Sequence, residues 1–340
     1  MNTIWFLLWA ILWIIYFILD GFDLGLGTLL PFLGKNEEER RLIYNAMGPF
    51  WDGNEVWLIT AGGVTFAAFP KTYAVMFSGL YTALMLLLVA LIVRGVSFEF
   101  RNKVESGLWR WIWDVCLFVG SALPPLLLGV AFANIFKGLP IDGKGVFHGG
   151  LLTLLNPYGL LGGVLFVFLF LEHGALWLSI RTIGELRLRA GVMAARIWQV
   201  KVIVLVLFLG ATAVATDLFA TYFHYPFLLP ILAIPIYGIF MSRNAMAEQK
   251  WKKAWFGSAI TIAGTALFGF MGLYPRMLPS SLNPKYSITI YNGSSSPLTL
   301  KIMLIVALIF VPIVILYQAW VYKHFAHALT PQDLEYEEAY

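Results

Sequence analysis

Four stretches of this sequence, 72–93, 115–136, 254–275 and 302–322, contain no aspartate, glutamate, lysine or arginine. A helix needs roughly 20 mostly apolar residues to cross the hydrocarbon of a bilayer. Four such runs in one chain point to a polytopic helical membrane protein. The charge content agrees: 12% of the 340 residues are charged and 60% are hydrophobic, against about 25% charged in soluble domains. So few charges cannot cover a water-facing surface of this size. That excludes a soluble enzyme, a disordered chain and a nucleic-acid binder. One cysteine, Cys116, cannot form an internal disulfide, hold an iron–sulfur cluster or build a structural zinc site. The windows are also too long, and lack the two-residue alternation, for a membrane barrel.

Three further runs are apolar apart from isolated ionisable residues: 3–33 with Asp20 and Asp23, 157–180 with Glu172 and His173, and 197–220 with Lys201 and Asp217. Two candidates are weaker. Segment 49–70 carries Asp52 and Glu55, and segment 226–241 is short and holds Pro226, Pro230 and Pro235. Basic residues arbitrate, because cytoplasmic loops collect lysine and arginine. With nine spans one set of loops holds 17 basic residues and the other 6; omitting 49–70 gives 14 against 9. The cleaner split predicts one all-α integral membrane domain over 1–340. Its nine spans lie at 3–33, 49–70, 72–93, 112–136, 157–180, 197–220, 226–241, 254–275 and 300–323. The N-terminus is outside and the C-terminus cytoplasmic. Met1–Trp5 lacks the basic start of a cleavable signal, so the first run reads as a retained span. Segments 137–156 and 276–299 read as long outer loops, and the acidic tail 333–340 as loosely held.

Carboxylates inside a membrane are costly, and each invites a functional reading. In this orientation Asp20, Asp23, Asp52, Glu55, Asp114 and Glu172 fall toward the cytoplasmic side, and Asp217 toward the outside. Asp20 and Asp23 stand three residues apart, as do Asp52 and Glu55, so each pair projects from one side of its helix. Gly21, Gly25 and Gly27 leave bare backbone beside the first pair, which permits close helix approach or a gap wide enough for water. Unpaired carboxyl groups there could exchange protons along a short path from the cytoplasm. Asp52, Glu55 and Asp114 have a second explanation, since acids at a helix start complement its dipole. Capping does not explain Asp20 and Asp23, which are mid-helix.

Paired haem ligands are not evident. Of five histidines only His173 lies well inside a span, without a facing partner, and it reads as a hydrogen-bonded or interfacial imidazole. No metal site or catalytic residue is apparent in this chain, and no cofactor-binding residue can be named. Trp5, Trp9 and Trp13 form a four-residue stripe that reads as core or lipid contact, with a partner subunit or isoprenoid tail as the rarer alternative.

Several segments carry a resemblance: DGFDLG at 20–25, GPFWDGNEVWLITAGG at 48–63, FAAFP at 66–70, RGVSFEFR at 94–101 and LNPYGLLGG at 155–163. Together they resemble subunit II of the cytochrome bd quinol oxidases over nearly the whole chain. The resemblance implies two four-helix bundles plus a peripheral helix. It also implies a complex in a bacterial cytoplasmic membrane that oxidises quinol and reduces dioxygen to water. Haem b and haem d would belong to a haem-bearing subunit I, and a small single-helix subunit is a further candidate partner. Carried onto this sequence, the family's proton route falls on Asp52, with Asp20 and Asp23 nearby and Asn54 and Glu55 in the same WDGNE motif. A bound quinone or lipid in this subunit is a further implication. The outer segment 221–225 is short beside longer members. Two alternatives remain from the residues: a proton-coupled secondary transporter, and a purely structural assembly subunit.

Overall fold

A computed structural model describes residues 1–335 and 340. Its helices in chain order are α1 (Asn2–Leu33), α2 (Glu37–Met47), α3 (Trp51–Ala68), α4 (Pro70–Gly79), α5 (Tyr81–Phe100), α6 (Gly107–Lys137) and α7 (Leu151–Leu154). They continue with α8 (Pro157–Arg181), α9 (Gly184–Ala215), α10 (Leu218–His224), α11 (Ala233–Ala247), α12 (Trp251–Leu273) and α13 (Pro297–His324). A 3-10 segment, Pro226–Leu232, leads into α11, where Pro226 and Pro230 deny the backbone two donors. The protein is a multi-pass membrane protein. Among the described residues eight helical segments are long and apolar enough to cross: α1, α5, α6, α8, α9, Pro226–Ala247, α12 and α13.

The expected ninth, 49–70, is not in that count, because α3 begins with Asp52, Asn54 and Glu55. It nonetheless lies antiparallel along α1. Asn54 near its start bonds Leu19 and Asp23, and Thr65 near its end takes the Trp9 indole N–H at 2.8 Å.

Other boundaries moved as well. The window 72–93 is not one helix: it breaks at Leu80, where α4 ends and α5 begins. A Cβ on Gly79 would lie 3.0 Å from the Phe147 ring, so the segment after α6 is wedged into the break. α5 then runs to Phe100, which places Arg94 inside a helix and not in the loop expected. α6 starts at Gly107, capped by Ser106, so Asp114 sits two turns in and the helix-start explanation for it fails. The charged stretch 184–196, which falls between the expected spans 157–180 and 197–220, forms the first three turns of α9, which ends at Ala215.

α1 is the central element and packs against α3, α6, α8 and α12. Its glycines decide between the two readings above in favour of close approach. A Cβ on Gly25 would fall 1.8 Å from the Phe170 carbonyl oxygen, and one on Gly174 of α8 would fall 2.3 Å from the Leu26 nitrogen. The two backbones touch, as small residues allow in membrane helices. Trp5, Trp9 and Trp13 are core, not lipid-facing; Trp5 donates to the Leu300 carbonyl at 2.9 Å. By contrast α13 buries only Leu300.

At the end where α1 begins, the two long loops interlock. Leu139 and Pro279–Ser281 exchange backbone bonds beside the short sheet β1 (Arg276–Leu278) and β2 (Ile288–Thr289). At the other end the described residues after α13 are anchored. Arg181 binds the Phe325 and His327 carbonyls, Arg41 donates to the Leu334 carbonyl at 2.9 Å, and Asn45 donates to that of Tyr340 at 2.7 Å. Residues 336–339 of the acidic tail lie outside the described residues.

Candidate functional site

The helical period brings Asp20 and Asp23 to one face of α1, and both are wholly buried. Helix α5 supplies Arg94, equally buried, and α3 supplies Asn54 and Glu55. Arg94 Nη1 donates to Glu55 Oε1 at 2.6 Å and lies 3.2 Å from Asp20 Oδ1. Asn54 Nδ2 donates to Asp23 Oδ2 at 2.6 Å and to the Leu19 carbonyl at 3.1 Å. Its Oδ1 accepts from the Tyr322 hydroxyl of α13 at 2.8 Å. One guanidinium thus meets two carboxyl groups, those of Asp20 and Glu55, while the third, Asp23, is held by Asn54. Close helix contact makes the arrangement possible: a Cβ on Gly120 of α6 would meet Arg94 Cβ at 2.8 Å.

Asp52 does not join the cluster. It is exposed and lines a cleft of about 440 Å³ shared with Asn54, Glu99, Gln318 and Tyr322. Gln318 ties α13 to this rim, accepting from the Trp57 indole at 2.8 Å and donating to the Gly53 carbonyl at 2.7 Å. Asn54 therefore borders the cleft and touches Asp23. Glu55, with 21% of its side chain exposed, is the partly open edge of the Arg94 group.

The remaining acids separate into three structural pairings. Asp114 accepts from Arg101 and Arg40, each at 2.7 Å, and from Tyr44 at 3.2 Å; Arg101 also grips Glu37, so the network ties α2 to α5 and α6. Glu172 is paired with Lys201 and accepts from Ser242 at 2.7 Å, sealed among α8, α9 and α11 and not part of the α1 cluster. At the opposite end Asp217 makes two 2.7 Å bonds to Arg276, which hold its carboxyl below the usual carboxylate range. Arg94 and Lys201, counted among loop cations in the sequence, are buried.

His173 is buried, 3.1 Å from the Ile18 carbonyl through Nε2 and stacked on Trp255 with ring centroids 4.6 Å apart. It is hydrogen-bonded, not interfacial. No group of three or more His, Cys, Asp or Glu residues among the described residues could hold a metal ion. Sequence reasoning missed Arg94 and Tyr322. The signal for Arg94 was present: it is followed by Gly-Val-Ser-Phe, an apolar continuation that keeps the helix going past the charge.

The family model for cytochrome bd terminal oxidase subunit II matches residues 1–325. Cytochrome bd ubiquinol oxidase subunit 2 of Bacillus subtilis (strain 168) is 42% identical over 337 residues, covering 98% of each chain. Cytochrome bd-I ubiquinol oxidase subunit 2 of Escherichia coli (strain K12) is 37% identical, covering 98% of this chain and 97% of its own. A chain in the structure of bd oxidase from Geobacillus thermodenitrificans superimposes with a TM-score of 0.75 over 93% of this chain and 97% of that one, at 16% identity, a likeness of fold. With these matches spanning the buried acids and nearly every helix, the chain belongs to the cytochrome bd terminal oxidase subunit II family, as one subunit of a respiratory oxidoreductase.

Proposed function

We propose that this chain is the subunit without haem ligands in a bacterial oxidase that oxidises quinol and reduces dioxygen to water. In this reading it scaffolds a haem-bearing subunit I in the cytoplasmic membrane and feeds protons to it. A small single-helix subunit would be a further partner. Haem b and haem d would be held by subunit I. The carrying observation is the continuity from surface to interior: Asp52 and Asn54 share one cleft, and Asn54 bonds the buried Asp23. Protons would enter at Asp52, with Glu55 as a second edge, and reach Asp23 and Asp20.

The proposed topology has α3 as a ninth span in one integral domain, with the cleft on the cytoplasmic side and the N-terminus outside. The proposed arrangement is two groups, α1, α3, α5 and α6 beside α8, α9, α11 and α12, joined where α8 packs on α1 and α6, with α13 peripheral. An apolar cavity of about 900 Å³ between α3, α4, α5 and α6 is bordered by Trp13, whose indole N–H is buried without a partner. It has the size for a quinone or lipid chain. Family membership sets the transporter alternative aside. A purely structural role is favoured by one observation, the pairing of Asp20 and Glu55 with Arg94.

The test is Asp52→Asn in the assembled complex. A conduit requires slower oxygen consumption per haem at unchanged haem content. Full turnover per haem would remove Asp52 from the route.

A further inference from the structure

Tyr16 lies one helical turn before Asp20 on the same face of α1, and the two side chains of such an i, i+4 pair are neighbours. It is fully buried. Trp13 and Phe17 flank it, with ring centroids 6.2 and 5.8 Å away, so its ring sits among aromatic side chains. Buried tyrosine hydroxyls usually find a partner, and the other buried tyrosines described here do. Tyr44 donates to Asp114 at 3.2 Å, Tyr158 meets the Thr212 hydroxyl at 2.9 Å, and Tyr222 donates to the Phe268 carbonyl at 2.7 Å. The Tyr16 hydroxyl closes no hydrogen bond, and neither does either Asp20 oxygen, whose contact with Arg94 is ionic only. Two buried polar groups thus stand one turn apart on the same helix face, each lacking the bond the other could supply. The groups around them are Arg94 from α5, Glu55 from α3 and Asp23 from α1 itself.

We propose that Tyr16 is a positioning residue for Asp20: its hydroxyl donates to that carboxyl and holds it between Arg94 and the aromatic core. The pairing marks the end of the acidic cluster nearer the start of α1. It rests on the reading of Asp20 as part of a proton route.

The experiment uses Tyr16→Phe in the assembled oxidase, with Asp20→Asn in parallel. Phenylalanine keeps the ring packing, so haem content is expected to be unchanged. A hydroxyl that donates to the charged form of Asp20 favours that form, so its loss is expected to displace the pH profile of oxygen consumption per haem upward by about half to one unit. It should also move the infrared carboxyl band that Asp20→Asn abolishes. A superimposable profile and an unmoved band would overturn the proposal. So would a higher thermal midpoint in Tyr16→Phe, the signature of an unpartnered buried hydroxyl removed. Normal turnover in Asp20→Asn at every pH would instead sink the proton route and leave the Tyr16 pairing to be judged on the infrared band and midpoint.

Discussion

The guanidinium of Arg94 is fully buried and donates to Glu55 at 2.6 Å. It is the cation closest to the acids of α1, standing 3.2 Å from Asp20 as well. Breaking a buried ion pair by removing one partner costs about 3–5 kcal/mol, because the other charge is left uncompensated. Arg94→Met should therefore lower the thermal midpoint of the complex and reduce the amount assembled. A midpoint equal to that of the parent protein would mean that the pair carries no structural weight.

Among the described residues Asn54 is the one side chain that both borders the cleft and bonds Asp23. Asn54→Leu removes that link while keeping a side chain of similar size. Turnover per haem is expected to fall about tenfold, equivalent to about 1.4 kcal/mol on the rate-limiting barrier. The check is oxygen consumption normalised to haem; an unchanged value would show that Asp23 is reached another way.

Glu172 and Lys201 form a second buried pair, isolated from the first. Lys201→Met should destabilise by about 3–5 kcal/mol, and Glu172→Gln combined with Lys201→Met should recover most of that loss. Thermal unfolding of the three variants decides it. Equal losses in the single and double variants would refute the coupling.

On the loop after α6, Asp142 accepts backbone bonds from Lys144 and Val146 and lies 2.9 Å from His148 Nε2. The His148 contact, with these N–H groups, lowers the Asp142 carboxyl from the ordinary 3.8 to about 2. A depressed carboxylate contributes order above its unfolded value and loses it as pH falls through the folded one. Protection of the Lys144 and Val146 amides, measured against their intrinsic exchange at each pH, should thus hold down to about pH 4 and fall between 3.8 and about 2. Asp142→Ala, which removes the acceptor, should leave both amides unprotected throughout; retained protection in that variant would show the loop is held by other contacts.

Much of the architecture was legible in the residues. Charge-free runs marked the apolar helices because a buried charge in hydrocarbon is too expensive to be common. The three-residue spacing of Asp20 and Asp23 placed both on one face because the helical period is a local property. Helix ends were less legible. The break at Leu80 lies beside Phe147, which comes from a loop distant in sequence, and the early start of α6 moved Asp114 out of its expected first turn.

The amino-acid order by itself thus determined that the chain is a multi-pass membrane protein and where most of its apolar helices lie, since these follow from local solubility and periodicity. Pairing belonged to the tertiary structure. Whether Arg94 or Lys201 meets water or a carboxylate, and whether Asp52 lies at a cleft or in the core, depends on which helices touch. That choice is set by bare-backbone contacts such as Gly25 on Phe170, where approach distance and not composition decides the neighbours.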